Sequence, residues 1–280
     1  MLFIASLVGL VMVGGMALAG LGDFGEDEGI LAGTEEDETL TGSQGDDQIG
    51  GGDGDDLIAT GPGEDIAYGH DGHDQVIGGA GDDHLFGGNG HDYLFGDAGD
   101  DALTGGNGHD VLDGSGGDDS LYGGMGQDSL GGGLGDDALL GGLGDDLLDG
   151  GAGADTLNGG AGNDILDGIE FGEAASDFLN GGQGDDTLYA GSGDVVSGGD
   201  GADTTVLGSW ISSAEPAQIS GFNVDEDRLE ISVDAVAPEV TITEVETGLY
   251  DVVCDDELLA QVSTIGELTS SNVVITRQGV

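Results

Sequence analysis

Apolar residues return every nine positions through the middle of the chain. In GGAGDDHLFGGNGHDYLF, residues 78–95, glycine, aspartate and leucine each come back to the same place after nine residues. Written as G-G-x-G-x-D-x-U-x, with U apolar, the pattern runs through nineteen units from residue 33 to residue 206. The eighth position is apolar from Leu40 to Val196 and polar only at Thr205. Such a fixed short period predicts one structural unit repeated along an axis.

Each unit predicts a short strand and a glycine-rich turn. The three residues x-U-x place one apolar residue between more polar neighbours, which is typical of a minimal strand with its central side chain facing inward. The six residues G-G-x-G-x-D are typical of a turn, since glycine readily adopts positive φ. A strand of three residues buries almost nothing alone, so the units must stack on one another. The pattern therefore predicts an all-β solenoid.

The net charge of the chain limits the classes of molecule that can be its partners. Its 280 residues include 58 Asp and Glu but only 2 Lys and Arg, which gives a formal net charge of -56. This acidity argues against nucleic acid and anionic membrane surfaces as partners, because both are polyanions. Acidic chains as rich in glycine as this one are often disordered, but here the apolar residues keep a fixed period. We therefore expect a folded protein that binds cations.

Acidic residues fill the sixth position of every unit, with Glu38 in the first and Asp in the others. Asp carboxylates and the carbonyls of glycine turns form an all-oxygen donor set, which suits Ca2+ with its six to eight oxygen ligands. Mg2+ prefers a smaller octahedral shell, and Zn2+ prefers His or Cys. Stacked carboxylates also repel one another, so a cation would stabilise the coil. The predicted calcium ligands are Asp47, Asp56, Asp65, Asp74, Asp83, Asp92, Asp101, Asp110, Asp119, Asp128, Asp137, Asp146, Asp155, Asp164, Asp186 and Asp203.

These nonapeptide units resemble those of the RTX (repeats-in-toxin) family, over residues 33–206. The resemblance implies a parallel β-roll with two units per coil and Ca2+ held between the turns of successive coils. A 13-residue unit begins at Gly168 and an 8-residue unit at Ala190. We expect these two units to break the stacking and to leave about fifteen calcium ions in the roll. Asp194, in the short unit, is expected to form an incomplete site.

The N-terminal end predicts export or anchoring. Residues 1–22 contain no charged side chain and are long enough to span a bilayer. The segment Ala17-Leu18-Ala19 resembles a signal-peptidase site, but the basic region typical of a signal peptide is missing. A cleaved signal and a retained membrane anchor are both compatible with this segment. An acidic linker, residues 23–32, follows it.

The C-terminal end, residues 207–280, predicts a small β domain. Its glycines thin out, and alternation appears in segments such as VTITEV and NVVITR. The stretch from Ile219 to Ile231 resembles the region that follows the repeats in RTX proteins of type I secretion. The resemblance implies that this end caps the roll and carries a secretion signal. Trp210 and Phe222 are expected in the core of the cap.

No catalytic motif accompanies the repeats, so we do not expect an enzyme. The sequence contains neither H-E-x-x-H nor G-x-S-x-G. His73, His91 and His109 occupy the fifth position, which Asp, Asn, Gln and Ala also occupy, so we interpret them as surface residues rather than metal ligands. The lone Cys254 forms no intramolecular disulfide and is expected to be a buried, inert thiol.

Apolar residues at the ninth position predict an outward-facing stripe. With two units per coil, residues 18 apart become neighbours on one sheet, and the ninth position faces away from the inward eighth. Ordinary packing between strands explains such a row, and self-association or a surface partner explains it as well. The outer stripe consists of Tyr68, Phe86, Thr104, Tyr122 and Leu140.

Two functions fit these features. The first is a secreted or cell-surface structural protein whose repeats bind extracellular Ca2+, where that ion is abundant, and fold on binding it. The second is the export-and-folding module of a hydrolase or toxin whose active domain lies elsewhere. An opening Met1 followed directly by an apolar segment favours the first. Calcium ions are the expected partners in both.

Overall fold

The computed structural model describes residues 29–170, 175–208, 210–211, 214–233, 239–264 and 266–277. The predicted signal or anchor at 1–22 and the first six residues of the acidic linker lie outside these ranges. The described residues form strands and turns and contain no helix. Within them, no helix has the length and apolar character needed to cross a membrane.

The strands alternate between two sheets along most of the chain. The 14-stranded sheet contains, in spatial order, β1 (Gly29–Ala32), β3 (Asp47–Asp53), β5 (Ile66–Asp71), β7 (His84–Asn89), β9 (Ala102–Asn107), β11 (Ser120–Met125), β13 (Ala138–Leu143), β15 (Thr156–Ala161), β17 (Phe178–Gln183), β19 (Val195–Asp200), β21 (Ala217–Phe222), β25 (Glu257–Thr264), β24 (Leu249–Cys254) and β23 (Val240–Glu246). The 12-stranded sheet contains β2 (Thr39–Thr41), β4 (Leu57–Pro62), β6 (Gln75–Ala80), β8 (Tyr93–Ala98), β10 (Val111–Gly116), β12 (Ser129–Leu134), β14 (Leu147–Ala152), β16 (Ile165–Asp167), β18 (Thr187–Tyr189), β20 (Thr204–Gly208), β22 (Arg228–Val233) and β26 (Val273–Arg277).

Two nine-residue units make one coil of a parallel solenoid. Neighbouring strands of a sheet are parallel, and residues 18 apart are partners, as Leu85 and Leu103 are in one sheet and Leu94 and Leu112 in the other. The chain therefore winds through both sheets in each coil, for about ten turns. The predicted all-β parallel β-roll is confirmed.

The strands are longer than the predicted three residues. β7 runs over six residues, from His84 at the seventh position of one unit to Asn89 at the third position of the next. The prediction was wrong because it assigned the first two glycines of each unit to the turn. The second of them, such as Gly88 with φ of 121°, pairs with Gly106 of the next coil and so continues the ladder. Only about three residues remain for each turn.

The glycines at the second and fourth positions allow the coils to approach one another closely. At Gly106, φ is 117°, and at Gly108 it is 151°, which are conformations that side chains rarely permit. A Cβ at Gly108 would overlap the carbonyl oxygen of Gly90 in the preceding coil. The close stacking therefore favours glycine at these two positions, although His70, Asp97 and Ser115 adopt positive φ at the second.

The core consists of two rows of apolar side chains, one from each sheet. Each eighth-position residue from Leu40 to Val196 is at most 2% exposed, as predicted. The repeating burial pattern of the six-residue strands makes the eighth and first positions inward-facing. Because the first position is glycine in every unit except those of Thr60 and Ala190, a regular unit contributes one apolar side chain to the core and little else.

The irregular units do not interrupt the strand ladders, contrary to the prediction. β15 pairs with β17 across the 13-residue unit, with Leu157 opposite Leu179. β17 pairs in turn with β19 across the short unit, with Leu179 opposite Val196. The extra residues are accommodated in the turn before β17, so the strands on either side keep their register.

The strand array extends past both ends of the predicted repeat region. β1 pairs with β3, so the array begins before residue 33. β21 and β22 add one more coil after residue 206, pairing with β19 and β20. β25 and β26 then pair with that coil, and β23, β24 and β25 form an antiparallel meander. The C-terminal strands thus cover the last coil.

The C-terminal end packs its apolar side chains onto the same core. Phe222 is 4% exposed, and Trp210 packs against the core while its Nε1–H donates to the carbonyl of Ala190 at 2.8 Å. Cys254 is buried and free, and burial raises the pKa of its thiol. Trp210, Phe222 and Cys254 are therefore placed as the sequence predicted.

The outer stripe lies along one face of the 14-stranded sheet. Tyr68 pairs in register with Phe86, and Tyr122 with Leu140. The Tyr68 and Phe86 rings stack with centroids 4.9 Å apart. Tyr122 and Leu140 are 43% and 40% exposed. The predicted neighbours are thus neighbours in the sheet, with their side chains outside the core.

Candidate metal sites

The sixth-position carboxylates lie inside the solenoid. Side chains alternate along a strand, so the sixth position shares its inward direction with the apolar eighth. Each sixth-position Asp from Asp47 to Asp203 is at most 4% exposed, and Glu38 is 6% exposed. Two rows of buried carboxylates result, one along each edge of the solenoid.

One oxygen of each carboxylate is bound to the backbone of the preceding coil. The N–H of Asp56 donates to Oδ1 of Asp74 at 2.9 Å, and the N–H of Asp74 donates to Oδ1 of Asp92 at 2.9 Å. These bonds form two continuous carboxylate ladders. The first ladder contains Asp47, Asp65, Asp83, Asp101, Asp119, Asp137, Asp155, Asp177 and Asp194. The second contains Asp56, Asp74, Asp92, Asp110, Asp128, Asp146, Asp164, Asp186, Asp203 and Asp227.

The other carboxylate oxygen is buried without a hydrogen-bond donor at sixteen of these positions. A buried carboxylate oxygen with no partner is costly, because the charge has lost its water and gained nothing. These sixteen oxygens are the Oδ2 atoms of Asp56, Asp65, Asp74, Asp83, Asp92, Asp101, Asp110, Asp119, Asp128, Asp137, Asp146, Asp155, Asp164, Asp177, Asp186 and Asp203. A cation supplies the partner that the protein does not.

The first-position glycine leaves room beside these oxygens in every unit but that of Asp65, where Thr60 stands at the first position. A Cβ at Gly105 would lie 2.5 Å from Oδ2 of Asp110 and 2.7 Å from the carbonyl oxygen of Gly123 in the next coil. A carboxylate oxygen and a carbonyl oxygen therefore border one small space that a side chain would fill. The donors are all oxygen, which is the set that Ca2+ prefers over Zn2+. The residues present fit calcium.

Burial and mutual repulsion raise the pKa values of the ladder carboxyls. Burial raises the pKa of Asp83, Asp92 and Asp146 to about 7, with the neighbouring carboxylates of the same ladder adding to the effect. Burial and the charges of Asp194, Asp155 and Glu170 raise the pKa of Asp177 to about 8. Near neutral pH these groups hold negative charge poorly without a cation beside them.

The ends of the ladders differ from the middle. The N–H of Ser43 donates to Oδ2 of Asp47 at 2.5 Å, and the N–H of Gly191 donates to Oδ2 of Asp194 at 2.5 Å. Asn223 donates in the same way to Asp227 at 2.7 Å. Both oxygens of these three carboxylates therefore have backbone donors.

Fifteen of the sixteen predicted ligands carry an unpartnered oxygen, and Asp47 is the exception. Asp177 was left out of the predicted set because its long unit was expected to break the stacking, yet it occupies the first ladder with the same unpartnered oxygen. Asp227 was also missed. Its signal was present in the segment Asp227-Arg228-Leu229-Glu230, which repeats the D-x-U-x half of the unit.

The histidines lie on the outside of one edge. His73, His91 and His109 are exposed and stacked, with ring centroids 5.0 Å and 4.9 Å apart. Nδ1 of His73 accepts from the N–H of His91, and Nδ1 of His91 from the N–H of His109, each at 2.7 Å. In the part of the chain that the structure describes, no histidine belongs to a group of three convergent metal-ligating side chains. The interpretation as surface residues agrees with this placement.

The repeats match the model of the RTX calcium-binding nonapeptide repeat at residues 32–67, 68–103, 95–130, 104–139, 131–166 and 171–205. These ranges span more than half of the chain. The chain belongs to the RTX calcium-binding repeat family. Its nonapeptide units are RTX calcium-binding repeats, and the resemblance suggested by the sequence is confirmed.

Solved structures also resemble part of this RTX protein. One is the solution structure of the AlgE6R3 subunit from the Azotobacter vinelandii mannuronan C5-epimerase, which is 26% identical. The similarity covers 50% of this chain and 78% of that chain, with a TM-score of 0.29. No curated protein matches the chain.

Proposed function

We propose that this RTX protein is a structural protein, secreted or held at the cell surface, whose repeats fold when they bind extracellular Ca2+. The sixteen buried carboxylate oxygens without a donor carry the proposal, because a folded state that contains them is stable only with cations in place. A net charge of -56 adds self-repulsion that bound divalent ions relieve. Sixteen unpartnered carboxylate oxygens are compatible with about fifteen ions.

The proposed role is structural rather than catalytic. Within the described residues, the polar groups buried between the sheets are mainly the carboxylates of the two ladders, whose Oδ1 atoms accept backbone N–H groups and whose Oδ2 atoms would bind the ions. The apolar segment 1–22 would tie the protein to a membrane if it is retained. The exposed half of the outer stripe, Tyr122 and Leu140, would serve self-association or a surface partner.

Circular dichroism of the full chain tests metal-gated folding. In excess chelator we expect a coil-like spectrum, and addition of Ca2+ should convert it cooperatively to a β spectrum. Mg2+ at equal concentration is the control, because its small octahedral shell fits the wide oxygen set poorly. A full β spectrum in chelator would contradict the proposal, since the two apolar rows would then suffice to hold the coils together.

A further inference from the structure

The 13-residue unit brings a third carboxylate to the first ladder. One ligand oxygen from each of Asp155, Glu170 and Asp177 lies within 4.8 Å of the other two. Among the described residues, no other three ionisable side chains converge in this way. In the regular turns the fifth-position carboxylates, such as that of Asp100, are exposed, and only the ladder carboxylates are buried.

The backbone fixes the Glu170 side chain in this position. Its Oε1 accepts from the N–H of Gly153 at 2.7 Å, and its Oε2 accepts from the N–H of Ala175 at 2.8 Å. In the regular coil before it, the equivalent N–H, that of Gly135, donates to the backbone carbonyl of Ala152 at 2.8 Å. The Glu170 carboxylate has therefore replaced a carbonyl in the turn and is directed toward the ladder.

The two ladder residues of this group still lack a partner. Oδ2 of Asp155 and Oδ2 of Asp177 are buried without a donor, and both residues are 2% exposed. The chain contains only two basic side chains of Lys or Arg type, Arg228 and Arg277, and neither is in this coil. Three converging carboxylates, two of them with a buried oxygen that has no donor, require a cation.

We infer that Glu170 joins Asp155 and Asp177 as a third carboxylate ligand of one calcium site in the first ladder, and that this site takes up its ion at a lower free Ca2+ concentration than the regular turns do. The inference rests on the proposed calcium binding of the ladders. The affinity of an oxygen site for Ca2+ rises with the number of its carboxylates and with its rigidity. This site has one carboxylate more than its neighbours, and two backbone donors hold that carboxylate in place.

Glu170→Gln tests the site in the full chain, kept in mild detergent. Glutamine keeps an oxygen to accept from Gly153 but removes the third negative charge. Native mass spectrometry at buffered free Ca2+ counts the ions on each chain. We expect the first ion to require about tenfold more free Ca2+ in this variant than in the wild-type protein. Glu64→Gln is the matched control, because Glu64 is exposed at a fifth position and its loss changes the net charge equally.

Asp177→Asn changes the same site from the ladder side and leaves the hydrogen bonds of Glu170 intact. If Glu170→Gln does not reach the β spectrum at saturating Ca2+, first-ion binding by Asp177→Asn tests the inference instead. First-ion binding equal to that of the wild-type protein, in a variant that folds, would overturn the inference. Calcium-dependent folding would survive that result, whereas a chain that folds fully in chelator would remove the proposed function itself.

Discussion

The regular coils of this RTX protein bury as many carboxylates as apolar side chains, whereas its C-terminal end buries mainly apolar side chains. Each unit between residues 78 and 161 buries one apolar side chain and one carboxylate with an unpartnered oxygen. The end beyond residue 207 buries a cluster of apolar side chains instead, among them Phe222, Tyr250 and Val262. Its ladder carboxylate, Asp227, receives the N–H groups of both Asp203 and Asn223.

The difference shows where each region obtains its stability. Apolar burial stabilises a fold without help from solutes, and the C-terminal end has enough of it to form a core. The coils have a thin core and two rows of costly buried charge. Calcium must therefore stabilise the coils far more than it stabilises the C-terminal end, which then offers the coils two ordered strands, β21 and β22, to stack on.

Deletion of residues 207–280 should have the largest effect. It removes β21 and β22 from the edges of β19 and β20 and exposes Val196 and Thr205, which are now at most 3% exposed. We expect the truncated repeats to stay largely unfolded at Ca2+ concentrations that fold the full chain, because an uncapped solenoid exposes apolar side chains and unpaired strand edges. Calcium titrations followed by circular dichroism measure the difference.

Deletion of residues 1–28 is the control for that truncation, since it leaves β1 and its pairing with β3 in place. Its calcium midpoint should equal that of the full chain. If the repeats without residues 207–280 fold at the unchanged midpoint, the C-terminal end is a separate domain or a secretion signal and not a template for the coils.

The calcium midpoints of Asp110→Asn and Asp194→Asn should differ, by less than the truncation changes the midpoint. Oδ2 of Asp110 has no donor, so its loss removes a calcium ligand and should raise the calcium midpoint roughly twofold or more. Oδ2 of Asp194 receives the N–H of Gly191, so its loss should weaken the fold equally with and without Ca2+ and shift the midpoint less. Parallel calcium titrations of the two variants give the comparison, and equal shifts would mean that Asp194 also binds an ion.

Lowering the pH should stabilise the calcium-free coils and so substitute for part of the effect of Ca2+. The folded-state pKa values of Asp83, Asp92 and Asp146 are raised to about 7, whereas an unfolded chain has Asp near 3.9. The folded coils therefore bind more protons than the unfolded chain between about pH 4 and pH 7. Their stability without Ca2+ is greatest at the acid end of that window and falls as pH rises through it.

In chelator, lowering the pH from 7.5 to 5 should thus increase the β signal in circular dichroism. The fluorescence of Trp210, the only tryptophan, reports on the C-terminal end, where the apolar core should make the response to pH smaller. A β signal that falls with acid would show that the carboxylates are not buried in the calcium-free coils.

The sequence predicted the parts of the fold that depend on period. A repeat of nine residues with one apolar position implies stacked strands with that residue inside, and Leu85 and its equivalents are placed accordingly. The length of the strands was not predictable, because glycine at the second position is typical of turns and only the pairing of Gly88 with Gly106 shows that it continues a strand.

The sequence predicted which residues form the candidate site but not which hydrogen bonds they make. The sixth-position Asp residues stand out by spacing, but which oxygen meets the backbone depends on how the coils stack. Asp155 and Asp177 are 22 residues apart, yet the N–H of Asp155 donates to Asp177 as it would to a residue 18 away. The length of a turn in sequence does not reveal whether it returns the chain to register, and Glu170 was overlooked for that reason.

The fifth and sixth positions join neighbouring coils in opposite directions. The N–H of His73 donates back to Asp55, whereas the N–H of Asp56 donates forward to Asp74. On each of its two faces, a regular coil therefore presents the same hydrogen-bond donors and acceptors as every other regular coil. Loss or duplication of an 18-residue segment in the gene would rejoin equivalent surfaces, so the length of this solenoid is free to vary between descendants while its two ends stay the same.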